Sequence, residues 1–236
     1  MPPLGARPTT VGRFRRQARQ DSMKIQKTRG MGDQMTLLMW FHYDDAFEII
    51  TDTLAADLSH RIVARDEQKF CVFPERKLLV AATGLSDLFH GWCGVLRSGQ
   101  PPGGVVQLAD SAPPVLVQIW GNLLARPGAP NKGRATIHHF GFAPDRTPIQ
   151  TAHQSGESFV ARIRLPGGFA VKPPPFSSLA AAPRGDDKVI ELALQIQKEQ
   201  GNLPFRERVP IGGSLIRTRF TASGEFSSDE LFRFEH

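Results

Sequence analysis

MTLLMWFHYDDAFEIITDTLAADLSHRIVARDEQKFCVFPERKLLVAATG, residues 35–84, is the stretch that decides the fold. Leu37 to Phe41 is a short apolar run rich in strand formers, and Phe47 to Ile50 is a second, reached through the Tyr43-Asp44-Asp45 turn. Phe70 to Phe73 is a third, and Leu78 to Thr83 a fourth that ends at Gly84. Strand-length runs broken by turn signals read as antiparallel hairpins. Within this stretch stand a threonine at the start, Thr36, an aspartate sixteen residues later, Asp52, and a lysine just before the third strand, Lys69. Read singly, Thr36 is a strand residue, Asp52 closes a turn, and Lys69 is a solvated residue ahead of a buried strand.

The segment after Gly84 changes period. Leu88, Trp92 and Val95 or Leu96 share one helical face over 86–97, with Ser86 in the N-cap position. Ser98 to Gly104 reads as a loop, 115–125 as a second helix despite Gly121, and Arg126 to Gly133 as a turn cluster. Strands follow at Ala135 to Phe142, Thr147 to His153 and Phe159 to Leu165. Pro166 to Pro175 reads as a proline- and glycine-rich loop. A helix over 186–200 carries Val189, Ile190, Leu192, Ala193 and Ile196 in helical spacing, with Asp186 and Asp187 at its start and Lys198 near its end. Gly212-Gly213 then leads into an alternating strand through Phe220, and a last strand covers Glu230 to Phe234. Strands, two helices, strands, a helix and strands fit a layered α+β fold, with helices 86–97 and 186–200 expected together on one outer side.

The ordered set Thr36, Asp52, Lys69 and Gly84 resembles the N-terminal half of proteasome β-type subunits, including the bacterial HslV-type protease, which are N-terminal nucleophile hydrolases. The resemblance implies a four-layer αββα sandwich of two antiparallel sheets. It also implies a chemistry: a threonine at the chain start attacks an amide, its own amine serves as base, and the lysine and aspartate tune that amine. This is the general logic of a weak hydroxyl activated by an adjacent base that a third group orients. Backbone amides near Gly84 would form the oxyanion hole; otherwise Gly84 is a flexible strand-to-helix turn. Gln154-Ser155-Gly156 stands where the family has a serine–glycine turn, making Ser155 a candidate helper of the amine; otherwise it is a hairpin serine. For Thr36 to act, the chain would have to begin there, by a start at Met35 or by a cut that removes the first 35 residues.

The sequence departs from that pattern in places. Active family members carry an aspartate and a serine before the late Gly-Gly, where this chain has Arg208 and Ile211. Leu37 stands where a small or polar residue is usual, and Leu54 where an arginine is common.

The 236 residues carry a net charge of +6. Residues 1–34 hold eight basic and two acidic residues, and the remainder holds 21 of each, so the surplus belongs to the leader. Nucleic acid is therefore not an expected partner. The leader lacks apolar periodicity and reads as disordered: a mis-assigned start, a basic tail, or a propeptide or electrostatic anchor. It has no apolar run for a signal peptide or membrane span. Residues 35–236 form the expected domain. Cys71 and Cys93 read as buried thiols of a reducing compartment, which points to the cytoplasm. His138 and His139 should face opposite sides of a strand, one half-buried and one solvated, which disfavours a shared metal. A pair of His153 with Ser155 is conceivable. No metal or cofactor is expected, since no nucleotide-binding loop or metalloprotease motif occurs. Three functions follow: an N-terminal threonine hydrolase of amide or peptide bonds acting as a homo-oligomer, a non-catalytic assembly subunit of the same fold, or an α+β protein that binds a small ligand.

Overall fold

The computed structural model describes residues 36–235, except 57–60, 128–133, 165–167, 180 and 205–206. The leader expected over 1–34 lies outside the described residues.

The first apolar runs pair as expected. Strand β1 (Leu38–His42) turns through Tyr43-Asp44-Asp45 into β2 (Ala46–Asp52), with Leu38 opposite Thr51. A short β3–β4 ladder (Ala55–Ala56, Ile62–Ala64) precedes β5 (Phe70–Phe73) and β6 (Leu78–Thr83). Helices α1 (Ser86–Arg97) and α2 (Val105–Leu124) follow, then β7 (Thr136–Phe142), β8 (Pro148–Gln154), β9 (Ala161–Arg164) and β10 (Gly168–Lys172). Helix α3 (Asp186–Gly201) and strands β11 (Ser214–Thr221) and β12 (Phe226–Arg233) complete the order. Two five-stranded antiparallel sheets result, β10-β1-β2-β11-β12 and β5-β6-β7-β8-β9. The described chain is α+β, with antiparallel sheets and three α-helices.

Three apolar clusters explain why β1 reads as one continuous hydrophobic run. Leu37 and Met39 point one way, into a cluster with Ile50 of β2 and Leu192 and Ile196 of α3. Leu38 and Trp40 point the other way, meeting Phe47, Ile49, Leu79 and Phe140 in a cluster shared by both sheets. Side chains alternate along a strand, so a strand covered on both faces needs apolar residues at every position. The opposite face of the second sheet sends Leu78, Val80 and Ile137 against Leu88 and Trp92 of α1 and Leu108 and Leu116 of α2. Each such side chain, fully buried, stabilises the fold by about 1.5–3 kcal/mol.

Five expectations are corrected here. Helices 86–97 and 186–200 do not share one side: α1 packs with α2 on the second sheet, and α3 packs on the first, because each apolar stripe covers a different sheet face. The second helix, expected over 115–125, starts at Val105 and runs through Pro113 and Pro114 to Leu124. Its stripe of Val105, Leu108, Ala112 and Leu116 is buried, and that burial outweighs the interrupted backbone ladder. The proline-rich loop contains an edge strand, β10, because Phe169-Ala170-Val171 can pair with β1 before Pro173 ends the ladder. The last strand begins at Phe226, its polar Ser227-Ser228-Asp229 suiting an exposed sheet edge. Of the two thiols, Cys93 is buried and Cys71 only partly so.

The histidines are also corrected. His138 and His139 do face opposite sides, but both are buried, because both faces of β7 are covered. Gln150 Nε2 donates to His138 Nδ1 at 2.8 Å. On the helix side runs a buried polar chain. Trp92 Nε1 donates to His139 Nε2 at 2.8 Å, His139 Nδ1 meets Thr151 Oγ1 at 3.1 Å, Thr151 Oγ1 meets His153 Nε2 at 3.2 Å, and His153 Nδ1 reaches the Phe159 carbonyl at 2.9 Å. An indole N–H only donates and a carbonyl only accepts, so the direction of every bond is fixed when both imidazoles are neutral. His153 therefore spends both ring nitrogens away from Ser155.

Burial holds His138 and His139 well below the usual histidine pKa, and His153 below it. The unfolded chain takes up these protons below about pH 6.5 while the folded chain does not, so stability is lost as pH falls through the unfolded value. Burial pushes the Asp52 and Glu48 carboxyls upward, and these act in the opposite sense. A single-histidine comparison isolates the effect. Urea unfolding at pH 7.5 and 5.5 should show a smaller loss of stability for His139→Gln than for the parent, by about 1.4 kcal/mol over that range. Parallel curves would contradict the neutral-histidine assignment.

Candidate active site

The β1–β2 register sets the site. Leu38 pairs with Thr51, so Leu37 comes opposite Asp52 at the open end of the hairpin, and Thr36 follows it there. The Leu37 amide donates to Asp52 Oδ1 at 3.0 Å, and the Asp52 amide donates back to the Leu37 carbonyl at 3.4 Å. Lys69, immediately before β5, donates its Nζ to the same Oδ1 at 2.8 Å. Oδ2 accepts the Gly212 amide at 3.1 Å. Asp52 is wholly buried and Lys69 only 5% exposed, so this is an interior ion pair. Burial pushes the Asp52 carboxyl upward in pKa, while the Lys69 ammonium and the Gly212 and Leu37 amides pull it back. Thr36 and Lys69 border one small cavity of about 20 Å³, with Gly84, Glu67 and His90 on its other walls. Glu67 Oε1 and His90 Nε2 are 3.0 Å apart.

Gly84 sits where β6 ends and α1 is about to begin. Its φ is +94°, a left-handed conformation that favours glycine, and an added Cβ would collide with the Arg134 carbonyl oxygen. The residue before α1 is Leu85, which caps the helix without a side-chain bond; Ser86 is already inside it. Two independent reasons therefore demand glycine at position 84, and both are structural.

Ser155 lies in a 3₁₀ turn after β8. Its amide donates to the Ala135 carbonyl at 2.9 Å, and its hydroxyl accepts the Ala135 amide at 3.0 Å. These bonds pin the start of β7 and leave the hydroxyl proton available for donation. Thr36, Gly84 and Ser155 line one larger cavity of about 620 Å³, together with Arg134, Glu157 and Lys172. Thr36, Lys69, Gly84 and Ser155 thus border two cavities that share Thr36 and Gly84, and Asp52 stands behind them.

Several supporting residues carried no signal in the sequence. Thr53 accepts nothing from the cavity; its hydroxyl bonds the Arg65 carbonyl and accepts the Ser214 amide at 2.8 Å. Leu54 N donates to the Gly212 carbonyl at 3.0 Å. Gly213, at φ +73°, lets this late turn press on Thr53 and Leu54. Ile211 turns away from the carboxylate into the cluster with α3, and its carbonyl accepts Gln197 Nε2 at 2.9 Å. The Gly-Gly spacing signalled the turn, but nothing in it signalled that Gly212 would bond Asp52. Arg134 and Lys172 were missed because isolated basic residues look alike in a sequence. Among the described residues no group of three histidines, cysteines or carboxylates is placed to hold a metal ion, and no helix is long and apolar enough to cross a membrane.

No family model matches the chain, and no curated protein matches it. Solved structures do. Anbu (ancestral beta-subunit) from Yersinia bercovieri superposes with a TM-score of 0.56 at 9% identity, covering 83% of this chain and 86% of that one. An Anbu (Gly-1) mutant from Hyphomicrobium sp. strain MC1 gives 0.57 at 10% identity, covering 83% and 87%. At these identities the likeness is one of fold. The resemblance to proteasome β-type and HslV subunits is thereby corrected: no family model supports it, and these two similar structures are Anbu proteins. Asp52 and Gly84 have structural ties of their own, so the four-residue pattern does not single out a family.

Removing one partner of an interior ion pair strands the other without a counter-charge. Asp52→Ala should destabilise the protein by about 3–5 kcal/mol, and Asp52→Leu combined with Lys69→Met should recover much of that loss. Urea unfolding of the parent and the two variants measures it. A single-variant cost under about 1 kcal/mol would show that the pair is not closed in solution.

Proposed function

We propose that this protein is an amide-bond hydrolase whose nucleophile is the Thr36 hydroxyl once residue 36 is the first of the chain. The observation that carries this reading is the buried Lys69–Asp52 pair directly behind Thr36, at the end of two cavities. A buried cation facing a free α-amine lowers that amine's pKa toward neutrality, where a base is most effective. Asp52 keeps the Lys69 ammonium in place through the 2.8 Å bond.

The chemistry runs in two halves. The Thr36 amine takes the proton from its own hydroxyl as that oxygen attacks the substrate carbonyl. Amides of the Gly84 turn face the developing oxyanion, and the protonated amine returns its proton to the leaving nitrogen. The resulting ester is then hydrolysed by a water that the same amine deprotonates, regenerating the hydroxyl. Ser155 acts beside the amine through its free hydroxyl proton. The fold is read as helix, sheet, sheet and helix in layers, which leaves the strand ends open to substrate. The similar Yersinia bercovieri protein is a "beta-subunit", which supports a homo-oligomer, and two free thiols support a reducing compartment such as the cytoplasm.

A second reading, a non-catalytic subunit of an assembly, draws on Ile211. It places an apolar side chain in the core where the late turn would otherwise offer a polar group to the site. A third, a small-ligand binder, rests on the 620 Å³ cavity alone. Protein prepared to begin at Thr36 should be labelled at Thr36 by a threonine-directed electrophile such as an epoxyketone or β-lactone, detected as a mass increase on the N-terminal peptide. Thr36→Ala should abolish labelling, and Lys69→Ala should reduce it by about 10²-fold or more. No labelling of the parent with a verified free Thr36 would move the assignment to the non-catalytic subunit.

A further inference from the structure

The larger cavity beside Thr36 has a charge imbalance that the catalytic reading does not use. Its basic residues are Arg134 and Lys172, and its one acidic residue is Glu157. Glu157 is already neutralised by Arg162, which grips its Oε1. Lys172 is the last residue of β10 and stands opposite Leu38 in the ladder. Residues paired across a ladder point to the same side. Leu38 points into the cluster between the sheets, so Lys172 extends from β10 toward β7, where its Nζ comes within 3.4 Å of Thr136 Oγ1. Among the described residues no carboxylate lies within ion-pair distance of this lysine. Thr136 is neutral and cannot offset the charge. Arg164 adds another guanidinium nearby, over the Trp40 ring at 5.8 Å. Burial, with the charges of Arg164 and Arg162, outweighs the attraction of Glu157 and holds Lys172 below the usual lysine pKa. A half-buried cation with no carboxylate in contact is costly, and an arriving anion recovers that cost. A concave wall of one sign also focuses its field on the space it encloses.

We propose that this cavity is the subsite for a carboxylate of a peptide substrate, with Lys172 as the residue that selects it and Arg134 as the rim charge that steers it in. The assignment names the substrate class of the site described above and rests on that reading for its catalytic meaning. The volume of about 620 Å³ lies within the range of small-ligand pockets and is ample for an acidic side chain. An aspartate or glutamate seated there would lie on the same cavity wall system as Thr36, next to the bond to be cut.

Binding tests this without requiring turnover. Full-length protein is titrated against short peptides carrying a neutral dye, with an acetylated start and an amidated end, identical except for a central Glu, Gln or Lys. A fourth peptide has the central Gln and a free C-terminal carboxylate. Fluorescence anisotropy should rank Glu about tenfold tighter than Gln, with Lys weakest. Lys172→Gln should remove the preference for Glu, and Lys172→Glu should invert it, with circular dichroism confirming the fold. Arg134→Gln should weaken the Glu peptide less and mainly lower its association rate. If the fourth peptide binds best and depends on Lys172, the carboxylate taken is the peptide's terminus, and the subsite stands. Equal affinity for all four peptides, no measurable binding, or a Glu preference that survives Lys172→Gln overturns the proposal. The catalytic reading fails separately: Thr36 unlabelled while Lys172-dependent binding persists sinks catalysis and leaves this subsite intact.

Discussion

One buried carboxylate ties together four separate segments of this chain. Asp52 ends β2, accepts the amide that precedes β1, accepts the amide of the turn before β11, and holds the lysine that precedes β5. The first three belong to one sheet and the last leads into the other, so the carboxylate fixes the two sheets against each other at the end where Thr36 emerges. An interior ion pair of this kind is weak evidence for stability, because desolvation consumes most of the Coulomb attraction. Its consequence is geometric: every donor must be in place at once, or a charge is left bare. Gly213 follows from that constraint, letting the late turn approach Thr53, while Gly84 is required separately where the β6 end passes the Arg134 carbonyl.

The parts of the fold readable in the sequence were those in which local chemistry and tertiary packing agree. The Tyr43-Asp44-Asp45 turn between two apolar runs gave the β1–β2 hairpin, and the spacing of Val189, Leu192, Ala193 and Ile196 gave α3. The failures are places where packing overrides local signals. Pro113 and Pro114 sit inside α2 because its buried stripe outweighs their cost, and β10 forms in a proline- and glycine-rich stretch because β1 offers it an edge. His138 and His139 are both buried because β7 is covered on both faces, which no residue-by-residue pattern reports.

The candidate site was legible to a different degree. Thr36, Asp52, Lys69, Gly84 and Ser155 were all named through the family resemblance of their order, and all border or back the same end of the sheets. Their spacing nevertheless misdirected the family assignment. Asp52 and Gly84 have structural duties sufficient to explain them, so their presence follows from the fold as much as from chemistry. The residues that sequence reasoning missed, Lys172 and Arg134, have no motif. They become informative only when the cavity is closed around them and the scarcity of compensating acids is visible.

At the centre of the proposed function is a free amine on Thr36 acting as base beside the Lys69–Asp52 pair. The most direct measurement is the N-terminal residue of the protein purified from the organism that makes it, identified by intact mass and terminal peptide mapping. The account predicts that the chain begins at Thr36 with an unmodified amine. A native protein that retains residues upstream of Thr36, or carries a blocked Thr36 amine, would contradict it.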